Sequence, residues 1–428
     1  MIEKKERSNI IDLIKKEVVP AIGCTEPIAV ALCVSKATET LGRIPDKISV
    51  LLSPNILKNA MGVGIPGTGG MIGLPIAIAL GALVGKSKYL LQVLKDCKPD
   101  DVEKGKQMIA NNTISISLKE NNTEMLYIEA ICDSENDTAT CIISGQHTNF
   151  SYIARNGTII LNKKDQIADS DFMDNLILSM QKVYEFATET PINEIRFILE
   201  SGRLNLVAAR QSLTEIHGHS LGRTLCSETE RKTMGDSTFS HMLSYTSAAC
   251  DARMAGAMIP VMSNSGSGNQ GIAATLPVVI YAGESNKSEE KLTRALALSN
   301  LTVIYIKQYL GRLSALCGCV VAATGSSCGI TYLMGGSYEQ ITYAVKNMVA
   351  NLTGMICDGA KPSCALKVSS GVSTAMFSAM MAMEGKCVTS VEGIVDDDVD
   401  KTIQNLAKIG KEGMCETDKL VLSIMTNK

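Results

Sequence analysis

The spacing of apolar side chains divides the chain into two helical regions with a strand-rich region between them. Aliphatic residues recur at a mostly helical spacing over 8–20, and a second helix is indicated from about 28 to 41. Residues 48–52 alternate as a strand does, and residues 59–85 carry no charge. Glycine and proline fill the first half of that stretch, leaving about 15 residues of helix, fewer than a bilayer requires. The pattern therefore predicts a buried helix there.

The pattern changes after residue 86. Short charged helices are indicated at 88–96 and 100–110, and the chain returns to helix at about 171–189. Polar turns separate four alternating segments between them, as an antiparallel meander requires. These predicted strands are 113–118, 126–130, 139–144 and 158–161.

Length and composition agree with this division. A chain of 428 residues is too long to fold around one simple hydrophobic core. With no Trp and only 6 Phe, its interior must be built from small and aliphatic side chains, which favours closely packed helices. We predict an α+β protein in which a mainly helical catalytic domain, residues 1–85 and 192–428, carries a smaller inserted α+β domain, residues 86–191.

Charge and cysteine content narrow the function classes. The 41 basic and 44 acidic residues are mixed along the chain, so a nucleic-acid partner is not expected. The first residues lack the apolar segment of a signal peptide, so we expect a cytoplasmic protein with no membrane association. There, 14 cysteines indicate thiols, metal ligands or catalysis rather than disulfides. The expected partner is a small-molecule substrate, and a homodimer is an assembly that the sequence allows.

Five cysteines fall within residues 317–364, beside glycine-rich turns. Cys357 and Cys364 are joined by a turn containing glycine and proline, so both thiols can converge on one point as metal ligands. A third ligand is indicated upstream, where Cys317 and Cys319 are both candidates, and three ligands would leave one metal position open for substrate. The opposing interpretation is that each thiol packs as a small hydrophobe. The spacing itself matches no zinc ribbon or ferredoxin run.

A further cysteine lies in the Gly-Cys-Thr-Glu-Pro turn at residues 23–27. Thr25 is the expected N-cap of the following helix, and Pro27 suits its first turn. Cys24 would then sit near a helix N-terminus, where the helix dipole lowers the pKa of a thiol. The alternative is a packed thiol beside a cap.

Two glycine-rich loops, 62–67 and 266–271, match the dinucleotide-binding pattern only formally, since neither lies in a convincing strand-turn-helix unit. Backbone amides and small polar side chains at such helix starts can instead hold a carboxylate. The candidate substrate-binding residues in and beside these loops are Asn55, Asn59, Thr68, Gly69, Ser265, Ser267 and Asn269.

Other polar residues have simpler interpretations. His217 and His219, which have no third ligand near them in sequence, fit surface or capping roles better than metal binding. Asp251 and Arg253 are predicted to form a structural ion pair, and residues 396–398 a solvated loop or helix start.

Four motifs together resemble the iron-sulfur L-cysteine desulfidases, a family related to the α domain of iron-sulfur L-serine dehydratases. They run through nearly the whole chain and are Pro20–Pro27, Gly64–Gly69, Asn264–Gly271 and Met355–Lys361. The resemblance implies a four-iron, four-sulfur cluster whose fourth iron is free to bind substrate. It maps the cluster ligands to Cys317, Cys357 and Cys364, and it leaves Cys319 and Cys328 as other thiols. It also places Cys24 near the reacting carbon, as the base.

The reaction that this resemblance implies is β-elimination of L-cysteine to pyruvate, ammonia and hydrogen sulfide. Sulfide leaves with less protonation than hydroxide, and the only acids near the proposed site, Glu26 and Asp358, are not clear proton donors. The same fold also suits an iron-sulfur L-serine ammonia-lyase. A pyridoxal-phosphate lyase lacks the expected lysine context, and a cluster-based redox sensor would need a partner-binding face that the charge pattern does not offer.

Overall fold

The computed structural model describes residues 2–120, 124–163, 176–311 and 313–427. Over these ranges the chain forms a mainly helical α+β fold, as predicted. The α-helices are α1 (Lys4–Glu17), α2 (Thr25–Leu41), α3 (Pro54–Ala60), α4 (Leu74–Leu83), α5 (Pro99–Ala110), α6 (Met180–Glu189), α7 (Ile192–Ile195), α8 (Leu199–Thr214), α9 (Leu221–Leu225), α10 (Glu228–Met234), α11 (Thr238–Met254), α12 (Gly268–Glu284), α13 (Glu289–Leu310), α14 (Gly318–Leu333), α15 (Tyr338–Leu352), α16 (Cys364–Met383), α17 (Val399–Lys408) and α18 (Cys415–Thr426).

Six strands form one sheet, and two more form a separate short pair. The sheet has the order β3-β2-β4-β5-β6-β7, and the pair is β1-β8. From β4 to β7 all neighbours are antiparallel, which confirms the predicted meander in this part of the chain. The strands are β1 (Pro20–Ile22), β2 (Lys47–Leu52), β3 (Ile114–Leu118), β4 (Tyr127–Ser134), β5 (Asp137–Ser144), β6 (Phe150–Arg155), β7 (Thr158–Asn162) and β8 (Pro260–Met262).

Two strands of the sheet differ from the prediction. β3 does not begin the meander but pairs with β2 in parallel, because α3, α4 and α5 connect the two strands and a crossover of this length returns the chain in the same direction. β6 was not predicted. Its inward-facing positions include Ser151, which is buried, so its alternation of apolar and polar residues is weak.

The predicted helices at the start of the chain and at 100–110 correspond to α1, α2 and α5, with small shifts at their ends. The predicted helix at 88–96 is a short 3₁₀ helix, Ser87–Gln92. The predicted helix at 171–189 corresponds to α6, and its first positions, 171–175, lie outside the described residues. The uncharged stretch contains α4, whose side chains are mostly buried. Within the described ranges, no helix combines the length and the apolar character needed to cross a membrane.

Two large hydrophobic cores support these elements. One is built largely from α6 and the helices from α11 to α17. The other packs α2 and α4 against the six-stranded sheet. Because α2 and β2 belong to the second core, that core takes in residues before position 86. The division of the chain into residues 1–85 with 192–428 and 86–191 stays a prediction.

The short β1-β8 pair joins two distant parts of the sequence. Pro20 lies opposite Met262, and Ile22 lies opposite Pro260. The turn containing Cys24 follows β1 directly, and the loop that begins α12 follows β8. The pair therefore anchors two of the motifs singled out above in one region of the fold.

Candidate active site

One cleft collects most of the candidate chemistry. Its cavity volume is about 100 Å³. Five cysteines line it, Cys24, Cys317, Cys319, Cys357 and Cys364, although nearly 300 residues separate the first from the others in sequence. The polar side chains beside these thiols are Glu26, Asn59, Arg253, Ser267, Asn269, Gln270, Lys307, Ser314 and Lys367.

Four helices begin at this cleft. Cys24 is the N-cap residue of α2, Ser267 that of α12 and Cys317 that of α14, while Cys364 is the first residue of α16. The N-terminus of a helix carries a partial positive charge and unpaired amide donors. Four such ends around one cleft favour thiolates, carboxylates and other anions there.

A short backbone bridge holds two of the cysteine segments side by side. The Cys317 amide donates to the Met355 carbonyl at 2.9 Å, and the Cys357 amide donates to the Ala315 carbonyl at 2.7 Å. The third thiol, on Cys364, lies 3.7 Å from the carbonyl oxygen of Gly359. The two cysteine segments and the start of α16 therefore present their thiols to the same space.

The turn between Cys357 and Cys364 requires glycine at position 359. Gly359 has a φ of 88°, and a Cβ atom there would lie 2.4 Å from the Lys58 carbonyl oxygen. In the same turn Asp358 forms ion pairs with Lys361, at 2.5 Å, and with Lys367. Burial would raise the pKa of the Asp358 carboxyl, but the two lysines outweigh it and lower that pKa to about 2. Asp358 is therefore ionised at neutral pH and is no proton donor.

Two of the three clustered thiols, Cys317 and Cys364, are disfavoured as anions. Burial, and then the neighbouring Cys357, raises the pKa of the Cys317 thiol to about 12. Burial also raises the pKa of Cys364, and Cys357 adds to that rise. Thiolates packed in this way need a cationic partner, so the donor set fits a metal centre whose binding releases the thiol protons.

The arrangement does not suit a single metal ion. Over the residues that the structure describes, no group of three His, Cys, Asp or Glu side chains is compact enough to hold one ion. A polynuclear centre spreads its ligands more widely than one ion does. Three thiols lie around this one cleft, and helices begin at two of them, Cys317 and Cys364.

Cys24 forms a hydrogen-bonded unit with Glu26. Its thiol donates to Glu26 Oε2 at 3.0 Å, and the same oxygen accepts the Thr25 hydroxyl at 2.9 Å. The other carboxylate oxygen, Oε1, accepts the Asn59 side-chain amide at 3.3 Å. Both Cys24 and Glu26 are buried, so the carboxylate is held in place beside the thiol.

This environment corrects two sequence-based expectations. The N-cap of α2 is Cys24 rather than Thr25. The pKa of the Cys24 thiol is also not lowered: burial, followed by the negative charge of Glu26, raises it well above 9.0, and the nearby Arg253 only partly offsets that rise. The dipole argument alone omitted the loss of solvent around the thiol and the adjacent carboxylate.

The remaining cysteines of the cluster region, Cys319 and Cys328, are both buried, and Cys319 also lines the cleft. The Cys319 thiol donates to the Lys367 carbonyl at 3.1 Å. A Cβ atom added to Gly371 would lie only 2.4 Å from the Cys319 sulfur, so the sulfur packs directly against α16. Cys319 therefore packs between α14 and α16. Cys328 is fully buried within α14 and does not line the cleft.

Three of the seven predicted substrate-binding residues line the cleft, namely Asn59, Ser267 and Asn269. The Asn59 Oδ1 atom lies 3.9 Å from the Cys357 sulfur. Asn269 donates to the Met254 sulfur at 3.4 Å, while its Oδ1 atom is buried without a hydrogen-bond partner in the described structure.

The other four predicted substrate-binding residues do not line the cleft. The Thr68 hydroxyl donates to the Ile65 carbonyl at 2.7 Å and so closes its own loop. Gly69 lines a separate cavity beside His217. Ser265 donates to Asn264 at 2.8 Å and faces another cavity, and Asn55 is buried in α3. Proximity in sequence to a glycine loop does not fix the direction of a side chain.

Arg253 was predicted to pair with Asp251, and this prediction is wrong. Both residues lie on α11, and side chains two positions apart on a helix point in different directions. Asp251 instead accepts the Gly222 amide at 3.0 Å, while Arg253 lines the cleft. Its signal in the sequence was a basic residue within a mostly uncharged helix, in which Asp251 is the acidic residue.

Comparison with known proteins gives an independent finding. The sequence model of the family described as "Serine dehydratase alpha chain" matches residues 88–423. The chain is 69% identical to the UPF0597 protein of Phocaeicola vulgatus, over 100% of this chain and 99% of that one. It is 68% identical to the UPF0597 protein of Bacteroides thetaiotaomicron, over 100% and 99%. It is 62% identical to the UPF0597 protein of Parabacteroides distasonis, over 99% and 98%.

Proposed function

The chain belongs to the serine dehydratase alpha-chain family, and we propose that it is a lyase that eliminates the β-substituent of L-cysteine to give pyruvate, ammonia and hydrogen sulfide. The observation that carries this proposal is the single cleft in which Cys24 meets Cys317, Cys357 and Cys364. Family membership supports the lyase chemistry, and the contents of the cleft support the choice of substrate.

We assign the cofactor as a four-iron, four-sulfur cluster held by Cys317, Cys357 and Cys364. The three thiols that share the cleft, with raised pKa values at Cys317 and Cys364, support this assignment. When bound, such a cluster supplies Lewis acidity that stabilises negative charge developing on the substrate. Cys319 is left out of the ligand set because its thiol is already engaged with the Lys367 carbonyl.

The proton transfer is assigned to Cys24 and Glu26. Glu26 takes the thiol proton through the 3.0 Å hydrogen bond, and the Cys24 thiolate then removes the α-proton of the substrate. The electron pair of that C–H bond forms the Cα–Cβ double bond as the Cβ–S bond breaks and hydrosulfide leaves. The resulting aminoacrylate tautomerises and hydrolyses to pyruvate and ammonia. A raised pKa makes the thiolate scarce but more basic once formed.

Substrate choice follows from the leaving group. Asp358 is ionised by its two lysine partners, and Glu26 is occupied by three donors. Neither carboxylate is dedicated to the leaving group, because Glu26 stays hydrogen-bonded to Cys24, Thr25 and Asn59 even when it holds the proton from Cys24. L-serine, whose departing hydroxide needs protonation more than hydrosulfide does, is therefore the poorer substrate. We expect kcat/KM to favour L-cysteine on the order of tenfold.

Both amino acids should be compared on one anaerobically reconstituted preparation, with pyruvate as the common product. A ratio that favours L-serine would make this protein an L-serine ammonia-lyase, the candidate that the family description itself suggests. The assignments of Cys24 and the three ligands would be unaffected by that outcome.

The pH dependence of kcat/KM tests the Cys24–Glu26 pair. Only the deprotonated thiol is a base, and its pKa is raised well above 9.0. We therefore expect kcat/KM to rise with pH through neutrality and beyond pH 9. Glu26→Gln removes the negative charge that raises the pKa of Cys24, so the increase in kcat/KM should occur at lower pH.

The matched control is Glu200→Gln, at an exposed carboxylate that pairs with Arg203. It should leave the pH profile of kcat/KM in place. A Glu26→Gln profile that coincides with that of the unsubstituted protein would remove Glu26 from the proton path.

A further inference from the structure

Arg253 is a buried cation for which the described part of the chain supplies no ion-pair or hydrogen-bond partner. Only 3% of its surface is exposed, and it lines the cleft beside Cys24. It makes no ion pair or side-chain hydrogen bond with any residue in the described ranges, and its Nε atom is buried without an acceptor. Burying an unpaired guanidinium is strongly unfavourable, so a partner from outside the chain is expected.

The surrounding fold makes room for this side chain. A Cβ atom on Gly268 would lie 2.2 Å from Arg253 Nε, so glycine at the first position of α12 admits the guanidinium to the cleft. The N-terminus of α12 adds a second positive feature at the same point. Both features favour an anion.

The other charged side chains at the cleft already have partners. Lys367 pairs with Asp358, Lys307 has a partner of its own, and Glu26 accepts three hydrogen bonds. Arg253 is therefore the cation of the described cleft that is left to bind an incoming anion. An α-amino acid brings one such anion, its carboxylate.

We propose that Arg253 binds the α-carboxylate of the substrate through its guanidinium fork. The inference rests on the proposed function only in taking an α-amino acid as the substrate. A guanidinium matches a carboxylate in a two-pronged geometry that fixes orientation as well as position. Because the α-carbon is bonded directly to the carboxylate, this contact would place the α-proton beside the Cys24 sulfur. It would also make amines that have no carboxylate bind more weakly than amino acids.

The test is calorimetric binding of two unreactive probes to anaerobically reconstituted protein. L-alanine carries the carboxylate and L-alaninamide does not, and neither has a leaving group. Arg253→Gln should weaken L-alanine binding on the order of 100-fold while leaving L-alaninamide binding unchanged. The affinity of Arg253→Lys for L-alanine should lie between those of Arg253→Gln and the unsubstituted protein, because lysine keeps the positive charge but lacks the guanidinium fork. Arg203→Gln, at an exposed arginine, is the control and should bind both probes normally.

Equal L-alanine affinity in Arg253→Gln and the unsubstituted protein would overturn the proposal. So would an equal loss of both probes, which would indicate a structural role, or a failure of the unsubstituted protein to bind L-alanine. The titration requires no turnover. A protein that binds L-alanine through Arg253 but releases no pyruvate would disprove the elimination reaction and leave this contact standing.

Discussion

Cys24→Ala protein should keep its iron-sulfur absorbance and lose kcat on the order of 10³-fold for L-cysteine. The loss follows from removing the group that takes the α-proton, since a positioned base contributes about 10²- to 10⁴-fold. The absorbance should survive because the three proposed ligands come from other segments, after residue 316. The measurement is pyruvate formation in anaerobic assays, alongside the visible spectrum of the same sample.

Cys33→Ala is the matched control, since Cys33 is another fully buried thiol on α2. It tests whether losing any thiol from this helix disturbs the site, and it should retain turnover. If Cys24→Ala loses its iron spectrum, then Cys24 is a cluster ligand. If it retains full turnover, then Cys24 has no part in the reaction.

Replacing Cys317, Cys357 or Cys364 by alanine should remove the cluster. Iron should fall from roughly four atoms per chain to a small fraction of that, and kcat/KM should fall by at least about 100-fold. Each ligand comes from a different turn or helix start, and the neighbouring thiol that shares both segment and cleft with Cys317, that of Cys319, already donates to the Lys367 carbonyl. Iron analysis and visible absorbance after anaerobic reconstitution measure the effect, and far-ultraviolet circular dichroism checks that each variant is folded.

Two further cysteines serve as controls for the ligand set. Cys328→Ala removes a fully buried thiol from α14 and should leave iron content unchanged. Cys319→Ala should do the same, because that thiol donates to the Lys367 carbonyl. If Cys319→Ala loses the cluster while Cys317→Ala keeps it, then the first ligand has been misassigned by two positions.

Regular periodicity made parts of the fold predictable. Alternation located β4 and β5, and helical spacing located α1 and α5, because each of these elements buries one face over several residues. The pattern also located β7, which is mostly exposed, and α2, which is buried on nearly all sides. The β1-β8 pair is only three residues long on each side and carries no such period. The parallel pairing of β3 depends on the helices that precede it, which a local pattern does not contain.

Residues of the cleft could be predicted where a sequence motif marks them. They could not be predicted where tertiary packing determines what a side chain contacts. The turns around Cys24 and Cys357 are marked by glycine, proline and thiols in the sequence. The role of Glu26 depends on its burial and on the three hydrogen bonds that it accepts. The role of Arg253 depends on its burial and on the lack of a partner in the described chain. Both appear only in the folded chain. Thr68 shows the converse case, because its hydroxyl closes its own loop instead of facing the cleft.

The central claim is that this chain is an iron-sulfur lyase acting on L-cysteine. It is tested most directly by measuring iron, pyruvate and sulfide in one anaerobic sample, over preparations reconstituted to different extents. The account predicts that pyruvate and sulfide form in equal amounts from L-cysteine, at a rate proportional to bound iron. Turnover that is independent of iron, or fully reconstituted protein that releases pyruvate from neither L-cysteine nor L-serine, would contradict it.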